Sequence, residues 1–210
     1  MPPAADWRVE GDVIVLGALH VTVERIAASH WRADARLRSW GQAPLQPEHD
    51  AVLVPCAADE CLWLGAWLED DTAEDPAAAP PPSPAPSLGP SPGPFPARPQ
   101  PGFPAAARAT SAGPAPARIT LDDPSSGGRA VAVLPAAYQL GTLRSAHDDP
   151  APLQLAPPLA SRRLRLELEY GPARAALELV LLPPAAWAAR AQRAPPVALA
   201  APPSLPPRLG

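Results

Sequence analysis

The chain has 210 residues, of which 35 are proline, and a formal net charge of −4 at pH 7. Proline at that density cannot sit wholly inside folded structure, so the ordered part is expected to be one domain of roughly 130 to 150 residues, enough for a core. All seventeen basic residues are arginine; we read this as coding bias, and no arginine run is dense enough for a nucleic-acid footprint.

Trp7 to Leu16 reads as one or two short strands around a Gly11-Asp12 turn, with Val13 to Leu16 as a buried run. Leu19, Val21 and Val23 alternate with His20, Thr22 and Glu24, which predicts a second strand ending near Ile26. Ala27 to Trp40 changes character. Its alanines, arginines and leucine favour helix, with Ser29 as a cap and Gly41 just past the end. Asp50 to Pro55 is a short buried strand. Cys61 to Leu68 is the most hydrophobic segment and reads as a strand buried on both faces or broken at Gly65.

Pro76 to Pro116 carries fifteen prolines and hardly any apolar mass. Such a segment cannot bury enough surface to offset chain entropy, and an extended, partly polyproline II insertion is expected. Arg118 to Asp122 and Arg129 to Leu134 flank a Pro/Ser/Gly turn and predict a hairpin. Pro135 to Leu143 has no clear pattern, and Leu153-Gln154-Leu155 adds a short strand.

The strongest hairpin signal follows. Leu164, Leu166, Leu168 and Tyr170 alternate with Arg163, Arg165, Glu167 and Glu169, Gly171-Pro172 breaks the run, and Ala173 to Leu182 returns. A turn centred there sets Leu166 opposite Leu177 and Leu164 opposite Leu179. The same register sets Glu169 opposite Arg174 and Arg165 opposite Glu178, while a one-residue slip loses both charge pairs. Pro183-Pro184 ends the strand, and Ala185 to Arg193 is a helix with a proline start.

Runs of short strands with Gly/Pro turns predict a mainly β fold: an antiparallel β-sandwich or barrel with one or two short helices, interrupted by a long Pro-rich disordered insertion. The expected organisation is a β-rich part over residues 6–70, a Pro-rich linker over 71–117, a C-terminal hairpin part over 118–194 packing with the first, and a disordered tail over 195–210.

Candidate chemistry is sparse. Cys56 and Cys61 form C-x4-C with His49 upstream, but zinc sites use four ligands at tighter paired spacing, so two buried free cysteines are the simpler reading. Two cysteines also make no disulfide framework. No G-x-S-x-G, H-E-x-x-H or phosphate-cradling glycine loop occurs. Trp63 and Trp67, four apart on a strand, share a side that is either core or an interface, with core preferred. Arg98, Pro101 and Pro104 complete R-x-x-P-x-x-P, the form that SH3-type grooves read, although chance produces it at this proline density.

The start, MPPAADWRVEGD, has no basic n-region and no apolar h-region, and no apolar run of spanning length occurs, so a cytoplasmic protein without signal peptide or membrane span is expected. The function expected is a non-catalytic binding or assembly protein acting through protein–protein contacts. Trp63, Trp67, Arg98, Pro101 and Pro104 are its candidate contacts, a protein is the partner, and no cofactor, metal or nucleic acid is involved. The alternatives are a small hydrolase-like enzyme using Cys56 with a histidine, or a Pro-rich adaptor.

Overall fold

The structure is a computed structural model that describes residues 7–69 except 34, and 115–199 except 156, 157 and 159. Contacts divide the chain into one unit of Met1–Asp70 with Ala115–Gly210 and another of Asp71–Pro114. All described residues belong to the first.

Among the described residues the fold is mainly β, with fourteen strands and one α-helix. The first half gives β1 (Arg8–Glu10), β2 (Val13–Leu16), β3 (Leu19–Ala27), β4 (Gly41–Gln42), β5 (Gln46–Glu48), β6 (Ala51–Pro55) and β7 (Glu60–Leu68). The second gives β8 (Ala117–Asp123), β9 (Gly128–Leu134), β10 (Gln139–Leu140), β11 (Thr142–Arg144), β12 (Pro150–Pro152), β13 (Arg162–Tyr170), β14 (Ala173–Leu182) and α1 (Pro184–Ala191). One sheet runs β1-β2-β3-β7-β10, with β4 beside β3; the other runs β12-β11-β9-β8-β13-β14-β6-β5. Neither closes on itself, so the barrel form of the expectation is not what the chain adopts. No helix among the described residues is long and apolar enough to cross a membrane.

Alternation builds the shared core. Ile14, Leu16, Val21, Val23, Leu62 and Leu64 from the first sheet meet Ile119, Leu121, Leu164, Leu166, Leu168 and Leu177 from the second in one buried cluster. The β13–β14 hairpin takes the predicted register, with Leu166↔Leu177, Leu164↔Leu179, Glu169↔Arg174 and Arg165↔Glu178. Arg174 reaches Glu169 at 3.3 Å. Arg165 instead turns to Glu167 on its own strand at 2.9 Å, and Glu178 is taken by Arg163.

The expected antiparallel arrangement is corrected at one place. β14 pairs with β6 in parallel, from Glu178↔Ala51 to Leu182↔Pro55. Parallel strands are stable where both faces are covered, and here they are. Val52, Val54, Leu179 and Leu181 enter the shared core, while Ala51, Leu53, Val180 and Leu182 pack under Trp187 of α1. The Trp187 Nε1–H donates to the Leu53 carbonyl at 3.1 Å.

The helix predicted over Ala27 to Trp40 is also not formed. A single 3-10 turn, Ala28–His30, opens the segment, and the rest is irregular up to β4. Distant partners satisfy its polar groups instead. Trp31 Nε1–H donates to the Gly141 carbonyl at 3.0 Å, and the Trp40 N–H donates to the Arg25 carbonyl at 2.9 Å. The Gln139 carboxamide accepts from the Leu37 N–H at 3.1 Å and donates to the Leu37 carbonyl at 2.9 Å, as a neighbouring strand would. Tertiary contacts of this kind outweigh propensity, which differs by well under about 1 kcal/mol per residue between ordinary amino acids.

Candidate functional site

β7 sends its residues to two faces. Leu62, Leu64 and Ala66 point into the shared core, and Cys61, Trp63 and Trp67 occupy the other side. Trp63 is only 7 % exposed, packed with Ile26, Leu37 and Cys61 beneath Trp31 and Trp40. Two glycines make room for it. A Cβ on Gly141 would stand 2.6 Å from Leu37 Cδ1 and 2.9 Å from Trp63 Cβ, and one on Gly65 would stand 3.2 Å from the Trp63 ring. Among the described residues the Trp63 indole N–H has no acceptor. Trp67, 40 % exposed, stacks on His20 with ring centroids 5.3 Å apart, and His20 Nε2 lies 2.9 Å from Glu69. The two tryptophans share a face, but one is a packing residue and the other is at the surface. Arg98, Pro101 and Pro104 lie outside the described residues.

Cys56 and Cys61 are free and buried. Burial pushes the Cys56 thiol up to about 11 and the Cys61 thiol up to about 12. Cys56 Sγ donates to the carbonyls of Ala57 and Glu60 at 3.6 and 3.8 Å. An activated nucleophile needs the opposite shift and some exposure. Among the described residues no group of three or more His, Cys, Asp or Glu is placed to hold a metal ion.

A further surface feature lies beside β9, a strand that the sequence predicts but at which it marks no site. β9 pairs with β8 along its whole length, but with β11 only at Arg129↔Arg144. Between these points the returning chain leaves the second sheet and joins the first, with β10 paired to β7 at Gln139↔Gly65 and Leu140↔Leu64. This crossing opens a groove of about 730 Å³ whose walls include Arg36, Arg129, Val131, Tyr138, Thr142 and Arg144. The segment carrying Leu37, pinned by Gln139, also lines the groove.

Three properties of the groove matter chemically. Among the described residues its lining holds three arginines and no carboxylate. Arg129 reaches Asp122 at 3.4 Å and Arg144 reaches Asp148 at 2.9 Å, both from outside the lining, while Arg36 has no ion pair among the described residues. It also exposes apolar side chains: Val131 is 44 % and Tyr138 53 % exposed in its lining, and Val133, two residues further along β9, is 45 % exposed. Its inner wall is a strand edge. The Val133 carbonyl accepts from the Ala137 N–H at 2.9 Å on the side away from β8. Backbone groups alternate along a strand, so the N–H and C=O of Val131 face the groove as well. Among the described residues Val131 has no ladder partner there.

The outermost strands of the second sheet are blunted by contrast. β5 carries Pro47, and β12 carries Pro150 and Pro152. Proline on an edge strand removes a donor and discourages further pairing. No protein-family model, curated protein or solved structure matches the chain.

Proposed function

We propose that this protein is a non-catalytic binding or assembly protein: a β-sandwich that meets a protein partner through its folded part, at the groove beside β9. One observation carries the reading. Of the five large hydrophobic side chains exposed among the described residues, Val131, Val133 and Tyr138 gather at this one strand edge. Scattered single apolar residues are ordinary on a surface, whereas a cluster beside an open backbone edge marks a contact site. Of the tryptophans weighed from sequence, Trp67 offers a second exposed apolar surface and Trp63 does not.

The test is a tagged pull-down from source cells with quantitative mass spectrometry. The full chain is run beside a Val131→Lys/Tyr138→Ala variant and beside a variant with Arg98, Pro101 and Pro104 replaced by alanine. A partner recovered at near-stoichiometric yield, lost in the first variant and kept in the second, is the expected result. The reverse pattern replaces this reading with the Pro-rich adaptor. The hydrolase alternative has a direct check in thiol chemistry. Iodoacetamide is expected to modify Cys56 only after denaturation; labelling of the native protein faster than a free thiol would restore a nucleophile.

A further inference from the structure

We propose that Ala194–Leu199 is a latched strap, held closed over β3 by the buried Arg25–Glu60 pair and able to open while the two sheets stay folded.

The pair stands where the alternation of two strands calls for apolar side chains. Leu19, Val21 and Val23 of β3, and Leu62, Leu64 and Ala66 of β7, enter the shared core. Two residues further along the same faces come Arg25 and Glu60, and both are buried. Arg25 Nε–H and Nη2–H hold the two oxygens of Glu60, which also accepts from the Ala57 N–H at 3.4 Å. Apolar residues of similar volume in place of such a pair are often neutral or stabilising, because desolvation offsets the attraction between the charges. The attraction within the pair thus adds little to the sandwich. What the pair adds is donors: Nη1–H and Nη2–H both reach the Val197 carbonyl, each at 3.2 Å.

Little else holds the strap. The chain leaves α1 at Gln192, which has a left-handed backbone, and Arg193 fixes the start by donating to the Leu45 carbonyl at 3.3 Å. Beyond that point, among the described residues, the bonds from Arg25 are the only hydrogen bonds to Ala194–Leu199. Pro196 and Leu199 are half-buried, Ala194, Pro195 and Ala198 are exposed, and the Val197 residue is 85 % exposed. Segments with so few buried apolar contacts open at free energies well below that of global unfolding. Opening here gives up two hydrogen bonds at the long end of the usual range, both to one oxygen, and water replaces them. Arg25 keeps Glu60 throughout, so no charge is stranded. Closed, the strap ties α1, which packs on the second sheet, to β3 of the first. Open, it leaves the two Arg25 N–H groups to another acceptor.

The experiment uses the full chain with a nitroxide on Val197→Cys, an exposed position; Cys56 and Cys61 are buried. The spin-label spectrum is followed through a urea titration beside the strand circular dichroism. An immobilised component is expected in the absence of urea, giving way to a mobile one before the sandwich unfolds. In Arg25→Met/Glu60→Leu the immobilised component is expected to be lost while the cooperative sandwich transition is kept. Should that variant lack a transition, Arg25→Lys serves in its place: the ammonium still faces Glu60 but lacks the fork that reaches Val197 as well.

A label that is fully mobile without urea overturns the latch. A mobile component that appears only together with loss of the strand signal overturns independent opening. An immobilised component retained in a folded variant shows that the pair does not hold the strap, and overturns its role.

Discussion

Asp123 shows how much a single side chain contributes to this fold. It is buried at the end of β8, where its carboxylate accepts from the Ser125 N–H at 2.9 Å, from the Ser125 and Ser126 hydroxyls at 2.6 Å each, and from Arg162 at 2.7 Å. Burial pushes its pKa up, but these hydrogen bonds outweigh burial and hold it down at about 2, against an ordinary 3.8. A carboxyl depressed on folding contributes its stability in full above its unfolded pKa and loses it as pH falls through the folded one. The window here runs from about pH 4 down to about pH 2. Asp123→Asn is therefore expected to cost about 2 kcal/mol in urea unfolding at pH 7, and to flatten the loss of stability across that window. An unchanged acid limb would assign the loss to other groups. The two buried tryptophans make a matched pair. Trp187→Phe removes an indole N–H that donates to the Leu53 carbonyl, whereas Trp63→Phe removes an N–H that has no partner among the described residues. Both leave space, so Trp187→Phe is expected to be the costlier by about 1 to 2 kcal/mol in parallel denaturant titrations.

At the scale of elements, what was legible in the sequence followed from strict alternation backed by charge. The β13–β14 register could be read because leucines on one face and Glu169/Arg174 on the other agree on one alignment. That logic continues across the sheet. Arg174, Glu169 and Arg118 form one row, and Glu178, Arg165, Asp122 and Arg129 another, each alternating in sign from strand to strand. A one-residue slip would break both rows at once. The short pieces carried no such message. β10 and β11 are two and three residues long, too short for a period, and the crossing they make between sheets is what opens the groove. The one clue available was β9 itself, whose outward positions Val131 and Val133 are apolar where the facing positions of β8 are Thr120 and Arg118. The segment after β3 misled for another reason: local helix preference is set aside when Trp31, Leu37 and Trp40 each find a fixed partner on the sheet. The glycine facing that cluster gives the test. Gly141→Ala would drive a methyl into Leu37 and Trp63, and overpacking of this kind costs about 1 to 3 kcal/mol. A fall in stability with altered tryptophan fluorescence is expected; no change in either would mean that the segment yields freely.

At the scale of the whole molecule, the strands before residue 70 and after residue 115 interleave. β6 lies beside β14 and β7 lies beside β10, and the shared core draws on both stretches. Fragments 1–70 and 115–210 made separately are expected to show no cooperative unfolding transition, and to regain one when mixed. A sharp transition in either fragment alone would show that it closes a core by itself. The parallel pairing also sets an order of events during synthesis. Ala51 waits for Glu178, more than a hundred positions later in the chain. At about 5 to 20 residues per second, a ribosome leaves Val52, Leu53 and Val54 without their partner strand for several seconds, long enough for chaperone capture or for adhesion to another nascent chain. Yield in the cell is therefore governed by how quickly the last hairpin emerges and by what shields β6 until then.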